Sequence, residues 1–217
     1  MSKKSTRTYQ SALRREQAEA TRNRILQAAA ELFAADGYAR TTLAGIAAAA
    51  GVSAETVQGQ GPKTALLIAA LDYTAFGVVG EEDVFNLEYG RLLVAQDDVA
   101  SMLDHLVDAV ADINGRTAPL YLALTSGANS EPKLREYLGE LLASITAQAR
   151  RISDIYRERG WLRDDVPFDE LVETSTVLCS IETYLHVTDR DSRSVDHYRR
   201  WLRRMLASTV FNVPQVN

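Results

Sequence analysis

Side chains able to contact a phosphate or a base edge are concentrated near the start of the chain. Hydroxyls beside helix N-termini contact phosphates, basic side chains neutralise their charge, and glutamine pairs with adenine. The candidate DNA contacts are Arg22, Arg24, Arg40, Thr41, Thr42, Ser53, Thr56, Gln58, Gln60 and Lys63. Any single hydroxyl in this set is better explained as a helix cap, so the argument depends on the spacing of the whole set.

Three short helices are predicted to position these side chains. Helically spaced apolar residues precede Asp36-Gly37, where the first helix ends. Thr41 or Thr42 caps a second helix and Ser53 a third, which the glycines and proline of 59–62 stop early. A tight turn between the second and third helices is typical of a helix-turn-helix, whose last helix enters the DNA major groove.

The charge is distributed unevenly along the chain. The whole sequence of 217 residues carries a net charge of −5, but residues 1–73 carry +3 and the remainder −8. Residues 1–24 alone carry seven basic and two acidic side chains. A basic N-terminal part on an acidic remainder is expected if only that part meets phosphate, and a solvated N-terminal tail is the alternative explanation.

The rest of the chain is also predicted to be helical. Further helices are expected at about 63–76, 99–113, 118–125, 133–159, 167–187 and 195–211. No β-alternation persists and no repeat is visible, so the predicted fold is all-α. We expect a flexible basic tail at 1–10, a three-helix helix-turn-helix domain at 11–62 (the head), and a larger helical bundle at 63–217 (the body).

Several motifs resemble the tetracycline-repressor (TetR) family in register over residues 21–67. They are Thr21–Phe33, Asp36-Gly37-Tyr38, Thr41-Thr42-Leu43, Ile46-Ala47, Ala50-Gly51-Val52-Ser53, Thr56 and Lys63-x-x-Leu66-Leu67. Ile181-Glu182-Thr183-Tyr184 and His197-Tyr198-x-x-Trp201-Leu202 are similar to the end of many actinobacterial-type members. The resemblance implies a homodimer, each subunit with an N-terminal helix-turn-helix and a C-terminal half that binds an inducer and dimerises.

The segment after Thr56 departs from the family pattern. The family usually has two aromatic residues before the lysine, whereas residues 57–63 here contain none and are one residue shorter. In the family, the first aromatic commonly contacts a phosphate and the second packs the recognition helix onto the fourth helix. Gln58 can replace the phosphate contact, so we expect DNA binding through a short and pliable recognition helix.

The body offers aromatic and polar side chains suited to a small-molecule pocket. The candidates are Tyr89, Met102, His105, Leu106, Tyr121, Leu124, Tyr137, Ile181, Glu182 and Tyr184, with Glu182 as a buried polar anchor. An apolar or aromatic effector is expected. Each residue taken singly is more often part of a core, and Glu182 is equally explained as a surface or interface residue.

The last two predicted helices suit a four-helix dimer interface. The candidate interface residues are Leu171, Ser175, Leu178, Tyr198, Trp201, Leu202, Met205 and Thr209. The alternative is an ordinary core within one chain.

Other functional classes find little support in the sequence. The three histidines lack metal-ligand spacing, and no cofactor, membrane span or catalytic motif is predicted. The expected function is a cytoplasmic repressor that binds a palindromic operator in double-stranded DNA and is released by a small-molecule inducer. The alternatives are a helical interaction or sensor protein with weakened DNA binding and an all-α enzyme using acids such as Asp104 with His105.

Overall fold

The computed structural model describes residues 3–77 and 83–213, and this part of the chain is almost entirely helical. Its α-helices are α1 (Lys3–Arg40), α2 (Leu43–Ala50), α3 (Ala54–Gln58), α4 (Lys63–Phe76), α5 (Glu88–Val94), α6 (Val99–Ala128), α7 (Pro132–Glu158), α8 (Phe168–Leu178), α9 (Ile181–Leu185) and α10 (Val195–Thr209). Within the described ranges the one β-bridge is an isolated pair, Leu162 with Phe211. The predicted all-α class is confirmed.

Helix α1 begins well before the residue at which the sequence pattern starts. Its backbone is helical from Lys3, so the tail predicted at 1–10 is wrong from Lys3 onward, while Met1 and Ser2 lie outside the described residues. Residues 12–20 are mostly alanine, arginine, glutamate and glutamine, which are strong helix formers, and they extend the helix once it is nucleated. Gly37 interrupts the helix with a φ of 72° and a ψ of 177°, a conformation that glycine adopts without strain.

Two hydrophobic cores hold the molecule together. The first core combines side chains of α1–α4 with Leu120, Leu124 and Leu134 from the neighbouring ends of α6 and α7. The second core lies wholly in the body and joins the first part of α6 to α7–α10, with Met102 and Leu202 fully buried. Helix α6 contributes to both cores and is the axis of the fold.

The two helices predicted at 99–113 and 118–125 are a single helix, α6. Asp98 caps it by accepting hydrogen bonds from the backbone N–H groups of Ala100 and Ser101. Pro119 lies inside the helix and removes one backbone donor, yet the helix continues. The buried contacts that α6 makes on both sides of Pro119 outweigh this local loss.

The helix predicted at 167–187 is instead broken between α8 and α9. Ser180 caps α9 by accepting from the backbone N–H of Thr183 at 3.1 Å. The buried Asn114 side chain on α6 donates to the Cys179 carbonyl at 3.1 Å, which satisfies a carbonyl at the break. The sequence pattern misses this break because its partner lies on another helix.

Candidate nucleic-acid interface

Short helices α2 and α3 form the helix-turn-helix, and hydroxyls cap both. The Thr42 side chain accepts from the Gly45 N–H at 3.0 Å, and Ser53 accepts from the Thr56 N–H at 3.2 Å. Helix α3 is five residues long, and its Val57 is fully buried in the first core. Val57 therefore holds a very short recognition helix in place. The glycines and proline of 59–62 predicted this early end of the helix.

Polar side chains remain exposed around α3. Arg22 of α1 donates to the Gln60 side chain at 3.4 Å although the two residues are 38 positions apart. Ser53 and Thr56 share a hydrogen bond of 2.9 Å at the start of α3, and Gln58 is exposed at its end. The structure thus brings Arg22 next to the segment that follows the recognition helix.

Two further arginines among the predicted contacts are exposed on α1. Arg24 reaches the Thr21 hydroxyl at 3.5 Å. Arg40 forms a solvent-exposed ion pair of 3.6 Å with Asp36, one turn earlier. Exposed pairs of this kind contribute little free energy, so the Arg40 guanidinium stays available to a phosphate.

Thr41 does not belong to the predicted DNA-contacting surface. It is buried, and its hydroxyl is hydrogen-bonded at 2.8 Å to the Gly37 carbonyl, with the Leu32 carbonyl 3.2 Å away. Its hydroxyl therefore satisfies carbonyls at the end of α1, where the Gly37 kink interrupts the helical hydrogen bonds. The prediction that Thr41 contacts DNA is wrong.

Lys63 contacts Tyr38, a residue that is not among the predicted DNA contacts. The Lys63 ammonium donates to the Tyr38 carbonyl at 2.9 Å and lies 4.1 Å from the centre of its ring. Burial, aided by the nearby Glu131 carboxylate, raises the pKa of Tyr38 to about 12. Together with Val57, this contact joins α4 to α1 and supplies packing that the missing aromatic residues provide elsewhere. In the sequence, Tyr38 is marked by its place in the Asp36-Gly37-Tyr38 motif.

The tyrosines predicted to line a ligand pocket mostly form contacts within the chain. The Tyr121 hydroxyl donates to Glu182, and the Tyr137 hydroxyl donates to Asp72 at 2.8 Å. Burial and the neighbouring carboxylate raise the pKa of both tyrosines. Because Glu182 is exposed, its predicted role as a buried anchor is wrong.

The ten predicted pocket residues are dispersed over both cores and the surface, and a pocket formed by them stays a prediction. Met102 and Leu124 are fully buried in different cores, and His105 is exposed with its ring on the Ser101 carbonyl. The remaining members, half-buried or buried, pack on neighbours: Leu106 and Ile181 on the second core, Tyr89 on Phe76, and Tyr184 on Tyr198. A spacing that places residues on one helix face does not determine which neighbours fill the space between helices.

A cavity of about 280 Å³ lies instead where the head meets the body. Its walls come from the end of α1, the Pro119 region of α6, and the segment from Leu185 to Asp189. None of the predicted pocket residues lines it.

The predicted dimer contacts divide into core and surface residues. Leu171, Tyr198 and Leu202 are buried within their own chain, so their assignment as contacts to a partner is wrong. Ser175, Leu178, Trp201 and Met205 are half-buried and Thr209 is exposed. The inner stripe of each amphipathic helix faces the second core and cannot also face a partner.

Within the described ranges 3–77 and 83–213, the side chains form no metal site, no membrane-spanning helix and no acid–histidine pair at Asp104 and His105. These residues include no group of three or more acids, histidines or cysteines placed to hold a metal ion. No helix there is long and apolar enough to cross a bilayer. Asp104 is paired with Arg203 at 2.5 Å, whereas His105 faces the Ser101 carbonyl, so the suggested acid–histidine pair is not assembled.

Comparison with known proteins finds a family profile that matches the helix-turn-helix segment. A sequence profile described as bacterial regulatory proteins, tetR family, matches residues 25–58, which include α2 and α3. Among curated proteins no sequence matches this chain.

Solved structures match nearly the whole chain. A transcriptional regulator from Saccharomonospora viridis in complex with choline is 21% identical, covers 90% of this chain and 100% of its own, and has a TM-score of 0.71. The SmeT–triclosan complex is 18% identical over 91% of this chain and 96% of its own, with a TM-score of 0.70. A TetR-family regulator from Mesorhizobium loti is 20% identical over 90% and 98%, with a TM-score of 0.67. The chain shares the fold of these structures, and its helix-turn-helix segment is similar to that of the tetR family of bacterial regulatory proteins.

Proposed function

We propose that this chain is a transcriptional repressor that binds a palindromic operator as a homodimer and is released by a small-molecule inducer. The observation that carries the proposal is the helix-turn-helix itself, with capped helices α2 and α3 and Arg22, Gln58 and Gln60 beside its recognition helix. The match to the tetR family over residues 25–58 supports the same function. Action on DNA places the protein in the bacterial cytoplasm, and no catalytic step is part of the proposal.

Control by a small molecule is supported by the neighbours. The regulator from Saccharomonospora viridis holds choline and SmeT holds triclosan, on folds similar to this one. We therefore expect an effector with a substantial apolar part to bind this chain.

The test of DNA binding uses the DNA upstream of the protein's own gene, with fluorescence anisotropy measured across a series of salt concentrations. Each phosphate contact contributes a log–log slope of about −0.9. Arg22→Ala is expected to weaken binding and flatten the slope by about 1.8, because each of the two subunits loses one contact. Arg91→Ala, which removes an exposed arginine on α5, is the matched control and should leave the slope unchanged. No binding even at low salt would overturn the proposal and favour the interaction protein.

The salt dependence of a Lys63 variant needs its own interpretation, because Lys63 also contacts Tyr38. Lys63→Ala is expected to weaken binding to all DNA sequences alike. A slope flattened by about 1.8, one contact in each subunit, indicates that Lys63 contacts a phosphate directly. A weaker affinity with an unchanged slope indicates that Lys63 acts by holding α4 against α1.

The homodimer is proposed to form through the outward faces of α8 and α10. Val177 on α8 is 58% exposed, the largest exposure among the large hydrophobic side chains of the described chain. Glu170 and Glu173 are exposed on the same face, and Arg200 and Arg204 are exposed on α10. Within the described residues none of these four charges has an ion pair, so α8 of one subunit is electrostatically suited to α10 of another.

Charge reversal tests this interface by light scattering coupled to size-exclusion chromatography. Glu170→Arg with Glu173→Arg makes both faces basic, and Arg200→Glu with Arg204→Glu makes both acidic. Each double variant alone is expected to be monomeric because like charges then oppose one another, and an equal mixture is expected to dimerise. A mixture that stays monomeric, or variants that dimerise as the wild type does, would place the interface elsewhere.

A further inference from the structure

The cavity between head and body has an almost wholly apolar lining. Phe33 and Gly37 of α1 face Pro119 and Leu122 of α6, and Leu185 closes a further side. Leu122 is 51% exposed at the cavity. A ligand with an apolar surface would cover it.

Asp189 supplies the one polar side chain among the residues that line the cavity. It is exposed, and its carboxylate makes no ion pair or hydrogen bond within the described chain, in contrast to Asp191, which lies 3.6 Å from His186. No basic side chain lines the cavity. A carboxylate at the edge of apolar walls matches a cation with an apolar chain and disfavours an anion.

The cavity lies where an occupant would contact both the head and the body. Its α1 wall ends at Gly37, where the helix is interrupted, and its α6 wall contains Pro119, where α6 lacks one backbone hydrogen bond. Phe33 also belongs to the first core, which holds α3 through Val57. A molecule seated here contacts both the body and the element on which the recognition helix is packed.

We propose that this cavity is an effector site for a small organic cation, an ammonium group carrying a short apolar chain. The ammonium pairs with Asp189, and the chain lies against the exposed side chains of Leu122 on α6 and Ala34 on α1. Because the occupant contacts both α1 and α6, its binding favours one orientation of the head and thereby changes the affinity for DNA. This inference rests on the proposed function for its regulatory consequence, whereas the binding itself does not.

Isothermal titration calorimetry of the full chain with hexyltrimethylammonium tests the site, with hexanol as the neutral probe. Asp189→Asn is expected to weaken binding of the cation about fivefold, the upper end for an ion pair open to water, and to leave hexanol unaffected. Leu122→Ala is expected to weaken both probes about fivefold by removing apolar contact. Asp191→Asn lies on the same segment, does not line the cavity, and should bind both probes as the wild type does.

The result separates this inference from the proposed function. Absence of cation binding, or equal cation affinity in the wild type and Asp189→Asn, would overturn the cavity as the site even if DNA is bound. If the cation binds as expected and no DNA is bound at low salt, the repressor proposal fails and the binding site stands. Release of DNA by the cation in the wild type, at concentrations that leave Asp189→Asn bound, supports both.

Discussion

The two hydrophobic cores of this protein differ in what they connect. The second core is made only by the body, from α6 to α10. The first core is shared, because Leu120, Leu124 and Leu134 of the body pack among the apolar side chains of α1–α4. The head is therefore not an independent unit, and the boundary predicted between residues 62 and 63 crosses a continuous core. A change at the neighbouring end of α6 reaches the recognition helix through direct packing.

The charged side chains of the head and of the body also differ in their partners. In the body, Arg199 is held among Asp108, Asp112 and Asp196. In the head, Arg22 and Arg24 have no ion pair within the described residues. The body neutralises part of its acidity internally, whereas the head keeps these basic side chains free for a phosphate.

The largest effects are expected from truncating α6 in each core. Leu124→Ala and Met102→Ala remove fully buried side chains of similar size from the first and second core, and each should lower the free energy of unfolding by about 2–5 kcal/mol. Only Leu124→Ala should also weaken DNA binding by the folded protein, since it loosens the core beneath α3. Urea denaturation and anisotropy at low temperature measure the two quantities. Equal losses of DNA affinity would remove the distinction between the cores.

A smaller effect is expected where Gly127 of the body lies against Tyr38 of the head. A Cβ at Gly127 would lie 2.6 Å from Leu134 Cδ1 and 2.9 Å from Tyr38 Cγ. Gly127→Ala should therefore destabilise the protein by about 1–3 kcal/mol through overpacking. Gly139→Ala on α7 is the control, because its Cβ meets nothing within 4 Å and alanine favours the helix. Similar unfolding free energies for the two variants would show that Leu134 and Tyr38 move away from the added Cβ at little cost.

The hydrogen bond between α4 and α7 is expected to contribute less. Tyr137→Phe removes the donor to Asp72 and should cost about 1.5 kcal/mol, the lower end for a hydrogen bond to a charged group. Tyr73→Phe, on α4 beside Asp72, provides the matched comparison. The hydroxyl that it removes makes no hydrogen bond within the described residues. Thermal and urea denaturation measure the difference. An equal cost in both variants would mean that the Tyr137 bond does not stabilise the joint.

The smallest change in stability is expected at the surface of the head. Asp36→Asn breaks the exposed pair with Arg40 and should change the free energy of unfolding by less than about 0.5 kcal/mol. It should nevertheless tighten DNA binding a few-fold at low salt, because it frees Arg40 and removes a negative charge beside it. Anisotropy at two salt concentrations checks this, and an unchanged affinity at low salt would place Arg40 away from the DNA.

The sequence by itself determined the helices of the head. Thr42 and Ser53 cap α2 and α3, and the glycine and proline residues after Gln58 stop the recognition helix, because capping and termination depend on neighbours within a few positions. The helix from Pro132 to Glu158 was predictable for the same reason, since its apolar period is long and Gly160 follows.

Only the tertiary structure decided what each side chain of the body does. Asn114 supports the break between α8 and α9 from another helix, and the contacts of α6 carry that helix through Pro119. Tyr198 and Leu202 lie inside because the facing element covers that stripe, which a single helix cannot reveal. The cavity at Asp189 is likewise assembled from three segments distant in sequence. Local hydrogen bonding is encoded within a few residues, whereas the partners of an apolar face are chosen by how all the helices pack together.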